Sequence, residues 1–176
     1  MATRIDESKL TGVERTFEAD EFIVSKTDLK GHITYANNVF LRVSGFSEKE
    51  IIKSPHSLVR HPGMPRCVFK LLWDRIQEKK EIFAYVVNTA KNGDHYWVIA
   101  HVTPSLDGDG NVVGFHSNRR KPDPEKVEAV KGVYDLLLKE EAACEDRKAG
   151  MAKSGELLNA MLAEKGLTYD EFVLTL

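Results

Sequence analysis

The stretch Pro55-His56-Ser57-Leu58-Val59-Arg60-His61-Pro62-Gly63-Met64-Pro65 decides how this chain is read. It sets two histidines, an arginine and three prolines between two helix-like segments. Proline fixes φ and restricts the residue before it, so the loop is stiff. A stiff loop that holds a guanidinium and two imidazoles at fixed offsets suits the wall of a ligand site. Its plainer role is a surface turn with positive charge.

Upstream of the loop, Phe22 to Lys26 and His32 to Ala36 are β-rich runs around the turn Asp28-Leu29-Lys30-Gly31, which predicts a hairpin. Either Asn37 or Asn38 can cap a short helix over 39–44 that Gly45 ends. Ser47-Glu48-Lys49-Glu50 is a capping box opening a second short helix into the loop. Downstream, Pro65 suits the first turn of a longer helix, and Phe69, Leu72, Trp73 and Ile76 form its apolar face. Three strands follow, over 83–89, 96–103 and 112–119, joined by Lys91-Asn92-Gly93-Asp94 and Asp107-Gly108-Asp109-Gly110. Two hairpins thus bracket a helical block. An antiparallel sheet with helices on one face satisfies this order, giving an α+β fold.

The ends are helical in pattern. Leu10, Val13 and Phe17 stand at helical spacing, predicting a helix or an ordered arm over 1–20. After a hinge at 121–124, Asp123 and Pro124 start a helix with the narrow seam Val127, Val130, Tyr134 and Leu137. Gly150 and Ser154-Gly155 predict a break. A further helix carries Leu157, Leu158, Met161 and Leu162 and stops at Gly166, before a capping box at Thr168 to Glu171. The division expected is an arm over 1–20, a domain over 21–121 and a helical output or dimerisation segment over 122–176.

Composition narrows the function. The chain of 176 residues is 42% hydrophobic, 30% charged and carries a formal net charge of −2. That balance argues against general nucleic-acid binding. No apolar run is long enough to span a bilayer, and the first twenty residues lack the apolar core of a signal peptide, so the expected compartment is the cytoplasm. Cys67 and Cys144 do not suggest a disulfide framework. No acid–base pair with an ordering third group and no glycine-rich phosphate loop is visible, so an enzyme is not expected.

Residues 20–120 resemble a PAS domain, and more narrowly the sensory PAS domain of bacterial aerotaxis receptors. The resemblance rests on Asp28 to Gly31, Ile33 to Asn37, Val43-Ser44-Gly45-Phe46, Pro55-His56, the run Val59 to Pro65, Trp73, and Lys91 to Val98. The Asn-Gly-Asp turn is shared by many PAS domains, whereas Val-Arg-His-Pro-x-Met-Pro followed by a helix tryptophan is far more specific. The family usually has an acid where this chain has Gly63, which takes one polar contact from the implied site. The resemblance implies a five-stranded antiparallel sheet with short helices over one face. It further implies FAD, held without a covalent bond and read through its redox state.

Six residues are the candidate cofactor ligands: Asn37, His56, Arg60, His61, Trp73 and Asn88. The Asn37 amide can face a ring edge or cap a helix. Arg60 offers a planar fork to a pyrophosphate, against a plain surface cation. His56 and His61 can bond the cofactor or stiffen the loop. Trp73 can stack on a ring or pack in the core. Asn88 shares a strand face with Ala84 and Val86, so its amide wants a partner.

The leading expectation is an FAD-binding redox, oxygen or energy sensor that signals by protein contact to a separate methyl-accepting chemoreceptor or another signalling protein. The same fold could hold haem through His56 or His61. It could also be a cofactor-free interaction module. A metal site from His56, His61 and Cys67 has suitable ligand types but no standard spacing. The seam on the C-terminal helix is expected to dock away from the core, in a homodimer or on the receptor.

Overall fold

Five strands form one antiparallel sheet: β1 (Ile23–Thr27), β2 (Ile33–Ala36), β3 (Ile82–Thr89), β4 (His95–Leu106) and β5 (Val112–Arg120). Their order across the sheet is β2-β1-β5-β4-β3. The computed structural model describes residues 7–176. Between the two hairpins lie α1 (Asn38–Ser44), α2 (Glu48–Ile51), a 3-10 turn over His56–Val59, and α3 (Arg66–Gln77). Three helices close the chain: α4 (Pro124–Ala142), α5 (Arg147–Glu164) and α6 (Tyr169–Thr175).

Local chemistry explains the joints. Asn37 caps α1 through its side-chain oxygen, which accepts from the Phe40 N–H, and Gly45 ends the helix at φ +73°. The Asn92-Gly93 tip of the β3–β4 hairpin puts Gly93 at φ +94°, a conformation that glycine adopts without steric cost. Pro65 sits at the cap of α3 rather than within its first turn.

Registers decide which side chains share a face. Ser25 lies opposite Ser117, Arg119 opposite Ala100, and Ala100 opposite Ala84. One face therefore carries Ser25, Ser117, Arg119, Ala100, Ala84 and, two residues on, Val86 and Asn88. The other carries Tyr85, Val87 and Trp97.

Three expectations need correction. The first concerns the N-terminus. A short 3-10 turn at Glu7–Lys9 gives way to an extended arm, in which Glu14 pairs in parallel with His95. Phe17 is buried while Val13 is exposed, so helical spacing is not what buries them. The part of this expectation that falls on residues 1–6 lies outside the described residues.

The second concerns the seam. Val127, Val130, Tyr134 and Leu137 are all buried in the main core. The Tyr134 hydroxyl donates to the Tyr85 carbonyl at 2.6 Å, and its ring stacks near Trp97 at 6.3 Å. The helix turns back onto its own sheet instead of docking elsewhere, because Tyr85, Val87 and Trp97 need a cover on that face. The seam thus supplies no surface for self-association.

The third concerns the break at Gly150. The actual break lies between α4 and α5, and α5 runs through Gly150, Ser154 and Gly155. Small residues there allow close helix contact. A Cβ on Gly150 would stand 2.7 Å from the Glu141 carbonyl oxygen. Among the described residues, no helix is long and apolar enough to cross a membrane. Both cysteines are free.

Candidate ligand-binding site

A cavity of about 640 Å³ lies between the inner sheet face and the loop-and-helix layer. This falls within the size range of sites for small molecules and cofactors. The loop 55–65 reaches it because Arg60 makes an isolated bridge to Asn88, joining the loop to the edge strand β3. The His56 N–H donates to the Gly31 carbonyl at 2.9 Å, tying the start of the loop to the first hairpin.

Four of the six expected residues meet here: His56, Arg60, Trp73 and Asn88 all line the cavity. Trp73 spans from α3 to the sheet and meets Phe115 edge-on at 5.5 Å. It also lies against Gly31, where a Cβ would come within 3.1 Å of the indole and the φ is +80°. The Arg60 guanidinium rests on the Phe69 ring at 4.2 Å, and partial burial lowers its pKa. The Asn88 amide is buried, and its Nδ2 has no hydrogen-bond partner. Opposite it on β4, the buried Tyr96 hydroxyl also lacks one. The two groups lie within reach of each other, though not in full hydrogen-bond geometry.

The other two are placed elsewhere. The Asn37 oxygen accepts from the Val24 and Phe40 N–H groups at 3.0 Å each, and its Nδ2 donates to the Phe22 carbonyl at 2.7 Å. The amide is spent on holding β1 to the start of α1. His61 lines a second, smaller cavity beside His95, and its Nδ1 accepts from the Gly63 N–H at 2.9 Å. Gly63 faces that second cavity too, so the missing acid does not alter the main one. Among the described residues, no three His, Cys, Asp or Glu side chains are grouped as a metal site would require.

Sequence reasoning missed Arg119. It lines the cavity at only 2% exposure. Its Nη2 donates to Ser25 Oγ, its Nη1 approaches His56 Nε2 at 3.5 Å, and its plane lies 4.5 Å over Phe40. Among the described residues its Nε has no hydrogen-bond partner. Burial lowers its pKa to about 10, so it stays charged. Burial and the adjacent guanidinium push His56 down to about 3, so its imidazole is neutral. A signal was present in the sequence. Arg119 and Arg120 are consecutive on a strand, so one must face inward, and parity with Phe115 selects Arg119.

The C-terminal helices also touch this site. Met151 of α5 lines the cavity. Nearby, the buried Glu141 carboxylate accepts from Arg66 Nε at 2.8 Å, from the Cys67 N–H at 3.0 Å and from Ser154 Oγ at 3.0 Å. One carboxylate thus joins the start of α3 to α4 and α5.

This geometry can be compared with known proteins. Residues 13–118 match the PAS fold family. The chain belongs to the PAS family. It is similar to the aerotaxis receptor of Escherichia coli (strain K12), with 38% identity over 118 residues, which are 67% of this chain and 23% of the receptor. It is also similar to the biofilm dispersion protein BdlA of Pseudomonas aeruginosa, with 29% identity over 118 residues, 64% of this chain and 27% of that protein. The chain therefore spans about a quarter of these relatives' length. Among solved structures, the dark state of the blue-light photoreceptor Aureochrome1 LOV superposes with a TM-score of 0.56 at 21% identity, covering 65% of this chain and 85% of that one. A light-oxygen-voltage domain studied with a flavin analogue gives a TM-score of 0.57 at 19% identity, covering 69% and 88%. At these identities the two structures speak for the PAS fold alone.

Proposed function

We propose that this PAS domain binds FAD in the 640 Å³ cavity and acts as a redox sensor. The observation that carries the reading is a pair of incompletely satisfied polar side chains, Asn88 and Arg119, among the residues that line the cavity. Asn88 Nδ2 and Arg119 Nε are buried without partners, and buried polar groups are normally satisfied. A flavin ring edge offers acceptors to both. The resemblance of the loop to aerotaxis receptors supports the same cofactor.

FAD would supply reversible electron uptake with a change in charge and hydrogen bonding at its ring. The residues of this chain divide the binding. Arg60, half-buried beside Phe69, is suited to the phosphates, which keep their water more readily at the mouth. Trp73 walls the cavity with an aromatic face. Asn88 fixes a ring edge by hydrogen bonding. His56, neutral and turned toward Ser25 and Arg119, holds that corner without adding charge.

Output leaves through the C-terminal helices, though not by the free seam expected from sequence. Met151 stands in the cavity wall, and Glu141 couples α3 to α4 and α5. A change in wall packing shifts how α5 sits, and a signalling partner of chemoreceptor type reads that shift.

Arg60→Ala and Trp73→Ala test the site. Each should lower FAD retention at least tenfold, Arg60→Ala through loss of a charge-assisted contact worth about 1.5–3 kcal/mol, while leaving the fold intact by circular dichroism. Full flavin occupancy in both variants would remove these residues from the site.

A further inference from the structure

Among the described residues, Arg119 is a buried cation with no anion beside it. Ser25 reaches it from β1, Phe40 from α1, His56 from the 3-10 turn and Tyr96 from β4. His116 on its own strand also feels its charge. None of these is a carboxylate. His56 is neutral, and burial holds the Tyr96 phenol well above its ordinary value, so neither supplies negative charge. An unpaired buried charge is costly, and a fold keeps one where something else completes it. Glu141 shows that this chain satisfies a buried charge when the role is structural.

We infer that Arg119 is the charge partner of the reduced flavin ring, a role that rests on the flavin reading above. Among the cations that line the cavity, Arg60 and Arg119 differ in depth. Arg60 is half-buried, which suits a hydrated pyrophosphate. Arg119 is almost wholly enclosed where it lines the cavity, which suits a delocalised charge that sheds water at less cost. Reduction by a two-electron donor places two electrons and one proton, at N5, on the ring. The second proton, which would neutralise N1, stays in solvent. The negative charge then spreads over N1 and the C2 carbonyl oxygen, and the guanidinium supplies the opposite charge. A nearby cation stabilises the anionic form and lowers the pKa of the group that forms it. Arg119 therefore raises the reduction potential and fixes the proton count of the sensor.

The test is a dithionite titration of the FAD-loaded protein at about pH 5.5, where a reduced flavin free in water takes up both protons. Wild type should take up one proton per two electrons, read from the slope of potential against pH. Arg119→Lys should keep that count. Arg119→Gln should take up two protons and lose at least tenfold in affinity for reduced over oxidised FAD, a fall of about 30 mV for two electrons. A wild-type count of two overturns the inference, even if Arg119→Gln fails to fold. So does an Arg119→Gln protein with unchanged count and potential, and in that case the flavin reading still stands. A wild type that binds no FAD defeats the flavin reading and this inference together.

Discussion

Glu141 and Arg119 are both buried charges, and the structure treats them in opposite ways. The Glu141 carboxylate accepts three hydrogen bonds, one of them from Arg66, and ties α3, α4 and α5 together. Arg119 meets a hydroxyl, a neutral imidazole and an aromatic face, and one of its donors has nothing. A charge with all its partners belongs to the architecture. A charge without them is left available to a ligand. The two nodes also touch the same cavity from different sides, Glu141 through Arg66 and the α5 wall, Arg119 through the sheet. One is suited to detect and the other to transmit.

The contrast breaks most visibly at Glu141. Glu141→Ala should destabilise the protein by about 3 kcal/mol in urea unfolding, the lower end for a broken buried pair because Arg66 is partly exposed. A loss under 1 kcal/mol would show that the carboxylate is not a structural tie. Next, counted per unit of pH, is His56. An unfolded imidazole near its ordinary value binds a proton that the folded one refuses until about pH 3. Stability should therefore fall as pH drops from about 6.5 toward 3, by up to about 1.4 kcal/mol per pH unit. His56→Gln should lose that part of the slope, and an unchanged slope would mean the ring is not held neutral. The smallest effect is expected at Arg119. Arg119→Met in flavin-free protein gives up a cation–π contact and a hydrogen bond but removes an unpaired buried charge, so stability should stay within about 1 kcal/mol of wild type. A loss as large as that of Glu141→Ala would make Arg119 structural and erase the comparison.

The PAS core was legible because strand alternation, caps and turn glycines all pointed the same way. The edges were not, for reasons that can be named. The run Ile82 to Val87 is apolar on both strand faces, which demands a cover on each side. Read alongside the seam of α4, it would have brought Tyr134 back to Tyr85 instead of sending the helix away. Gly150 and Ser154 look like helix breakers in isolation, yet at a close helix crossing small side chains are what the contact needs. Leu10, Val13 and Phe17 show helical spacing, but backbone pairing with His95 holds the arm extended.

The site shows the same limit. His56, Arg60, Trp73 and Asn88 project from a stiff loop, a helix face and a strand face, so their convergence followed from the fold. Asn37 and His61 differ because nearby backbone groups claim their polar atoms, through the Val24 and Phe40 amides and the Gly63 amide. The sequence left the cap and the ring edge both open for Asn37, and the coordinates decide for the cap. Arg119 was hidden by its strand: a basic pair at the end of β5 looks like a solvated finish until the register turns one of the two inward.

The most direct measurement is the visible spectrum of the purified full chain, before and after dithionite, with the released cofactor identified after denaturation. The account predicts oxidised flavin bands that bleach on reduction, and intact FAD in stoichiometric amount. A protein that is colourless and takes up no FAD on reconstitution, or one that shows haem bands instead, would contradict it.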